Sequence, residues 1–219
     1  MKSALRSFLL LFIIITISSY SHANDPDWKN RLFIKRECIK CNLNKHDLRK
    51  ADLHNVMLSG SHLNQAKLQE ANLQGADLSG ANLRGAYLEG ANLRGANLRG
   101  ADLEGCFLNG ADLSMAELGV ANLRSSDLTA SNLLGATLEG ANLENANLSV
   151  SDLGLSNLKG ANLKGTKLQS ANLRGADLSR ADLSGAMLCN TKVPSGEIEY
   201  SGCIIPLLRE VLGNKTPGQ

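Results

Sequence analysis

Leucine stands at every fifth position from Leu43 to Leu188, 30 times without an exception. No regular element accounts for that spacing. On an α-helix a step of five residues turns about 140° beyond a full circle, so the leucines would spiral round every side. On a strand five is an odd step, so they would alternate between the two faces. A five-residue unit that buries nothing alone has to stack on copies of itself. The chain must then turn once per unit, so that each leucine points to a common axis.

The other positions support this reading. Two residues before the leucine stands Ala in 20 of the 30 units, and most exceptions are small: Ser61, Ser126, Ser131, Ser151, Ser156, Thr166, Cys41 and Cys106. Only His46 and Val56 are larger. Asn or Asp precedes the leucine in 21 units, and Gly follows two residues after it in 15. The unit is therefore A-(D/N)-L-x-G. Alanine set against leucine leaves no spare volume, so the interior is expected to be a packed column without a pore. Leu103→Asp is expected to break that stack. The glycine position also holds Glu70, Met115, Val120, Val150 and Leu155, side chains that resist positive φ. The turn therefore does not demand glycine, and some units are expected to use another turn type.

This unit resembles the pentapeptide-repeat family over roughly residues 38 to 203. The resemblance implies an all-β fold, a right-handed quadrilateral β-helix with four units, or 20 residues, per coil. Thirty units then make about 7–8 coils and a rod roughly 36 Å long at strand spacing. Side chains four units apart should stack in columns. One such column reads Arg84, Glu104, Arg124, Glu144, Lys164, alternating in sign throughout. Opposite charges at that spacing attract modestly. Glu139 and Lys159 continue the pattern on another face.

Outside the repeat the composition changes. Lys2 and Arg6 precede the apolar run Phe8 to Ile17, and Ser21-His22-Ala23 follows with small residues at −3 and −1. Residues 1–23 read as a signal peptide cleaved after Ala23, which places the mature chain in the periplasm or outside the cell. No later segment is long and apolar enough to span a bilayer. Residues 24–41 read as an N-terminal cap, with Phe33 and Cys38 in phase with Leu43 and with Trp28 or Leu32 over the end. Residues 42–190 are the β-helix. Residues 191–219 read as a C-terminal cap and tail. There Val193 and Ile198 extend the phase, and Ile204 to Leu212 form a short amphipathic helix over the tip.

Five cysteines in an exported chain sit in an oxidising compartment, and the odd count leaves one unpaired. Cys38-x-x-Cys41 leads into the repeat with His46 five residues on. It reads as a structural pair or as buried thiols, against a metal or redox site with no fourth ligand evident. Family resemblance favours a cap element for this pair. The ending LCNTKVPSGEIEYSGC likewise looks like the closure of exported family members, with a Cys189–Cys203 disulfide. Cys106 replaces an inward alanine and reads as a small buried hydrophobe.

Tyr87 and Phe107 precede the leucine in units four apart, with Lys67 and Asp127 at the ends of the pair. They are the candidate partner-contact patch, set against simple stacking between coils. His46, His54 and His62 fall at three different positions of the unit, so no catalytic arrangement forms. No enzyme activity, cofactor or metal is expected. The reading is a non-catalytic exported scaffold for a protein partner, with room for a homodimer through a solenoid end. Some family members mimic the DNA duplex and bind type II topoisomerases, which needs a strongly acidic surface. Residues 42–190 carry 13 Lys and Arg against 15 Asp and Glu, a net of −2, so neither that role nor nucleic-acid binding is favoured. A secreted effector acting on another cell is the other alternative.

Overall fold

The computed structural model describes residues 27–203. The expected signal peptide of residues 1–23 and the expected helix at Ile204–Leu212 lie outside the described residues.

Every fifth residue from Glu37 to Asn172 forms a parallel bridge to the residue 20 further on, from Glu37↔Met57 to Asn172↔Lys192. Four five-residue units therefore close each coil, and the chain is a β-solenoid. Each face contributes a single bridging residue between two turns, so the faces never lengthen into continuous strands. Three amides per unit bond to a neighbouring coil. In one such set Leu103 N–H donates to Asn122 O at 2.7 Å, Gly105 N–H to Arg124 O at 3.0 Å and Asp102 N–H to Ala81 O at 2.9 Å. A fourth closes the corner within the coil, from Cys106 N–H to Leu103 O at 3.1 Å.

The leucines from Leu43 to Leu173 are no more than 2% exposed. Each contributes about 2 kcal/mol of burial, opposed by the entropy of ordering its unit. The small polar residues beside them are satisfied internally. Ser126 Oγ donates to Leu123 O at 2.6 Å, and Thr166 Oγ1 donates to Leu143 O at 2.9 Å.

The corners correct one expectation. Every residue at the glycine position from Lys40 to Asn190 has positive φ, including Glu70 at 57°, Met115 at 58°, Val120 at 52°, Val150 at 63° and Leu155 at 58°. Every corner shares positive φ at its second central residue and a bond from the fourth residue back to the first, the pattern of a type II turn. A left-handed non-glycine costs roughly 1–2 kcal/mol. The inter-coil bonds on either side outweigh that, so the turn holds its shape and the residue takes the strain.

The two ends depart from the repeat. The N-terminal end carries a six-residue helix, α1 (Trp28–Phe33), whose Leu32 is fully buried over the first coil. Cys38 joins the interior at 0% exposure, but Phe33 does not: it ends the helix and is 37% exposed. At the other end the chain leaves the solenoid in a hairpin. Thr191–Lys192 (β1) pairs antiparallel with Ile198–Glu199 (β2). Val193 stays half-buried, whereas Ile198 is 42% exposed and leaves the inner column, because the hairpin turns the chain before another unit can stack. Among the described residues no helix is long and apolar enough to cross a membrane.

Candidate functional site

In a solid rod only the outer positions can meet another molecule. The residue before each leucine is the least exposed of these, and the structure gives its Asn or Asp two tasks. Its side-chain oxygen accepts the amide two residues on, as from Glu104 N–H to Asp102 Oδ1 at 3.2 Å. The same oxygen accepts from the residue stacked on it, as from Asn122 Nδ2 to Asp102 Oδ1 at 3.0 Å. Asn132 on Asp112, Asn172 on Asp152 and Asn97 on Asp77 repeat the pattern. The cue to the ladders was their recurrence in 21 of the 30 units.

Tyr87 and Phe107 interrupt one such ladder. Their ring centroids are 5.1 Å apart and their planes 5° from parallel, and the two residues are bridged directly by their backbones. Phe107 is 41% exposed. In the two units of Lys67 and Tyr87, Gln69 Oε1 and Glu89 Oε2 are buried without a hydrogen-bond partner. The pair, half-buried at Tyr87 and exposed at Phe107, is an aromatic surface suited to stacking by an incoming apolar group.

The charged column is in register but only partly paired. The carbonyls of Glu104, Arg124, Glu144 and Lys164 each accept an amide from the coil before. Arg84 pairs with Glu104 and, at 3.4 Å, with Asp102, while Lys164 turns to Asp182 at 3.2 Å. No ion pair joins Glu104 to Arg124, Arg124 to Glu144, or Glu144 to Lys164 among the described residues. Corner side chains are long and solvated, and an exposed pair gains too little to fix them.

The cysteines settle into two bridges and one free thiol. Cys38 and Cys41 are bonded with Cα atoms 5.3 Å apart, and Cys189 and Cys203 are bonded with Cα atoms 4.6 Å apart. Cys106 is buried, its thiol 2.9 Å from Leu83 O, and burial pushes its pKa up to about 12. A thiol so protonated is a poor nucleophile and metal ligand. His46 packs edge-on against Trp28, with ring centroids 4.6 Å apart, and takes no part with the cysteines. His54 bonds Asp52 at 2.6 Å. Among the described residues no group of three or more His, Cys, Asp or Glu is placed to hold a metal ion.

Against this geometry the pentapeptide-repeat family model matches in eight copies, over residues 38–69, 47–85, 76–114, 121–155 and 156–192. The chain belongs to the pentapeptide-repeat family. That membership implies a right-handed β-helix, in keeping with the 20-residue coil. Among solved structures it is similar to HetL of the cyanobacterium Nostoc sp. strain PCC 7120, a pentapeptide repeat protein involved in heterocyst differentiation regulation. The two are 37% identical over 74% of this chain and 81% of HetL, with a TM-score of 0.37. A pentapeptide repeat protein of the Arabidopsis thaliana thylakoid lumen is 29% identical over 45% of this chain and 68% of its own, with a TM-score of 0.44. QnrB1, a plasmid-mediated fluoroquinolone resistance protein, is 20% identical over 68% and 78%, with a TM-score of 0.44. No curated protein matches this chain.

Proposed function

We propose that this pentapeptide-repeat rod is a non-catalytic, exported scaffold that meets a protein partner through the face carrying Tyr87 and Phe107. The supporting observation is that pair: two parallel rings, one of them 41% exposed, in a column otherwise made of Asp47, Lys67, Asp127, Asn147, Lys167 and Met187. Large exposed aromatics are the side chains that most often anchor protein contacts. Two disulfides in a chain with an N-terminal apolar run support an oxidising destination. The mixed charges of the rod, net −2 over residues 42–190, speak against a duplex mimic.

The test is capture of partners from a periplasmic extract by the wild-type chain and by the double variant Tyr87→Ala, Phe107→Ala, with the fold of each checked by thermal melting. The variant is expected to melt within a few degrees of wild type and to lose the captured partner. Unchanged capture removes the aromatic face from the reading. Export is tested separately by fractionation and mass spectrometry: a mature chain beginning at Asn24 supports it, and a full-length chain in the cytosol contradicts it.

A further inference from the structure

Charge is not spread evenly along the rod. Residues 24–70 carry nine Lys and Arg against six Asp and Glu, a net of +3. Residues 71–203 carry ten against 14, a net of −4. The positive end is the N-terminal tip, where α1 lies over the first coil.

Three successive corners of the first coil place Lys40, Lys45 and Lys50 round its rim, and α1 with the segment leaving it adds Lys29, Arg31, Lys35 and Arg36. Most of the carboxylates that face them are engaged. Arg36 holds Asp52 at 3.2 Å, Arg49 holds Asp47, and Lys50 holds Glu70 at 3.4 Å. Asp27 accepts from Asn30 Nδ2 at 3.4 Å, and Glu37 stands exposed. Lys29, Lys35, Lys40 and Lys45 are all exposed, and among the described residues none of them enters an ion pair.

The same tip bears apolar side chains. Ile34, which ends α1, is 76% exposed, more than any other large hydrophobic residue among those described. Phe33 beside it is 37% exposed. Leu32 already closes the inner column, so the fold gives these two nothing to cover. Trp28, the one tryptophan of the chain, is partly buried at this tip, with Lys29 Nζ 5.7 Å from its ring centre.

We propose that the N-terminal tip docks on the surface of an anionic phospholipid bilayer, with Ile34 and Phe33 at the acyl boundary and Lys29, Lys35, Lys40 and Lys45 among the headgroups. Cations beside exposed apolar side chains are the combination that holds a protein in that interface. The lysine stems lie along the apolar boundary while their ammonium groups stay with the phosphates. A nucleic-acid duplex would take up the lysines but give Ile34 nothing to enter. The net −4 of the remaining coils is repelled by the same headgroups, so the rod stands on its end and does not lie flat. The tip shares no residue with the aromatic face, so the two stand or fall separately.

The experiment uses the oxidised chain from Asn24 to Gln219, which holds every described residue and leaves out the apolar run Phe8 to Ile17 that would itself enter vesicles. Co-sedimentation measures binding, and Trp28 reports its place. Vesicles containing phosphatidylglycerol are expected to bind, and vesicles of phosphatidylcholine alone at least about tenfold more weakly. On binding, the Trp28 emission is expected to shift to the blue and to be quenched by brominated lipid. Two tip variants, Ile34→Ser and the triple change of Lys35, Lys40 and Lys45 to Gln, alter only exposed side chains. Each is expected to melt within a few degrees of wild type and to bind at least about tenfold more weakly. Arg94→Gln with Arg174→Gln, further along the rod, is expected to bind as wild type. Equal binding to the two vesicles, binding to neither, full binding by either tip variant, loss of binding in the Arg94 and Arg174 variant, or binding without a change at Trp28 would each overturn the proposal. So would tighter binding to a DNA duplex than to the vesicles, or association between copies of the chain that the lysine variant abolishes.

Discussion

The two tips of the rod solve one problem in different ways. A solenoid ends in a cross-section of leucines and unpaired backbone, and both have to be covered. At the N-terminal tip α1 lies across the first coil, Leu32 is sealed at 0% exposure, Trp28 packs on His46, and the Cys38–Cys41 bridge fastens the entry. At the C-terminal tip Leu178, Leu183 and Leu188 are only partly buried, and among the described residues the amides of Leu178 and Leu183 meet no carbonyl. There the hairpin β1–β2 and the Cys189–Cys203 bridge hold the chain against one side of the last coil, with Leu188 N–H donating to Ser201 O at 2.9 Å. Among the described residues, one tip is closed by burial, and the other is pinned by a covalent link beside partly buried leucines. Hydrophobic closure should therefore dominate at the first and the disulfide at the second.

Truncating the sealing leucine gives the largest contrast. Leu32→Ala is expected to cost about 2–5 kcal/mol, the range for a fully buried leucine. Leu183→Ala, at a partly buried position, is expected to cost less than half as much, as read from urea unfolding of both variants. Equal losses would mean that the tips are equally closed. The disulfides should rank the other way. Replacing Cys189 and Cys203 by Ser removes a link between residues 14 apart and is expected to cost about 3 kcal/mol, whereas the same change at Cys38 and Cys41, three apart, should cost nearer about 2 kcal/mol. Calorimetry of the two double variants measures the difference, and the reverse order would break the comparison.

Acid should separate the tips least. The Arg49 side chain holds Asp47 at a pKa of about 2, the bond from His54 does the same for Asp52, and Ser184 does so for Asp182. Each folded value lies below the ordinary carboxylate value of 3.8, so each contribution is complete above about pH 4 and fades as pH falls towards 2. These groups are fully exposed, so the expected change is small and salt-sensitive. Melting temperatures recorded from pH 6 to pH 2.5 should stay level to about pH 4 and then decline, and a decline beginning near neutrality would contradict these assignments.

The body of the rod was legible in the sequence and its ends only in part: Leu32 over the first coil and the cysteine pairs were readable, the paths of the chain around them were not, for one physical reason. Burial repeats with the chain in the body, so Leu103 and its neighbours declare their place by spacing alone. At the tips the period persists in the letters after the structure has abandoned it: Phe33 and Ile198 are both in phase and both exposed. A helix of six residues is too short to show its own periodicity, so α1 left no signal. The corners misled for a different reason. Val120 and Val150 argued for another turn, but strain of roughly 1–2 kcal/mol is less than the neighbouring inter-coil bonds supply together. The charged column from Arg84 to Lys164 lies coil on coil, and among the described residues only its Arg84–Glu104 step is an ion pair. Tyr87 and Phe107 could be paired from spacing, because both hold the same position in units four apart.

Amide hydrogen exchange resolved to single residues by NMR tests the stacked coil most directly. The account predicts protection that repeats every five residues from about Leu43 to Leu173. The amides of Leu103 and Gly105, bonded to Asn122 and Arg124 in the next coil, should exchange slowly, and that of Glu104, bonded only to the Asp102 side chain, should exchange fastest. Protection repeating every three or four residues, or spread evenly through the unit, would contradict it.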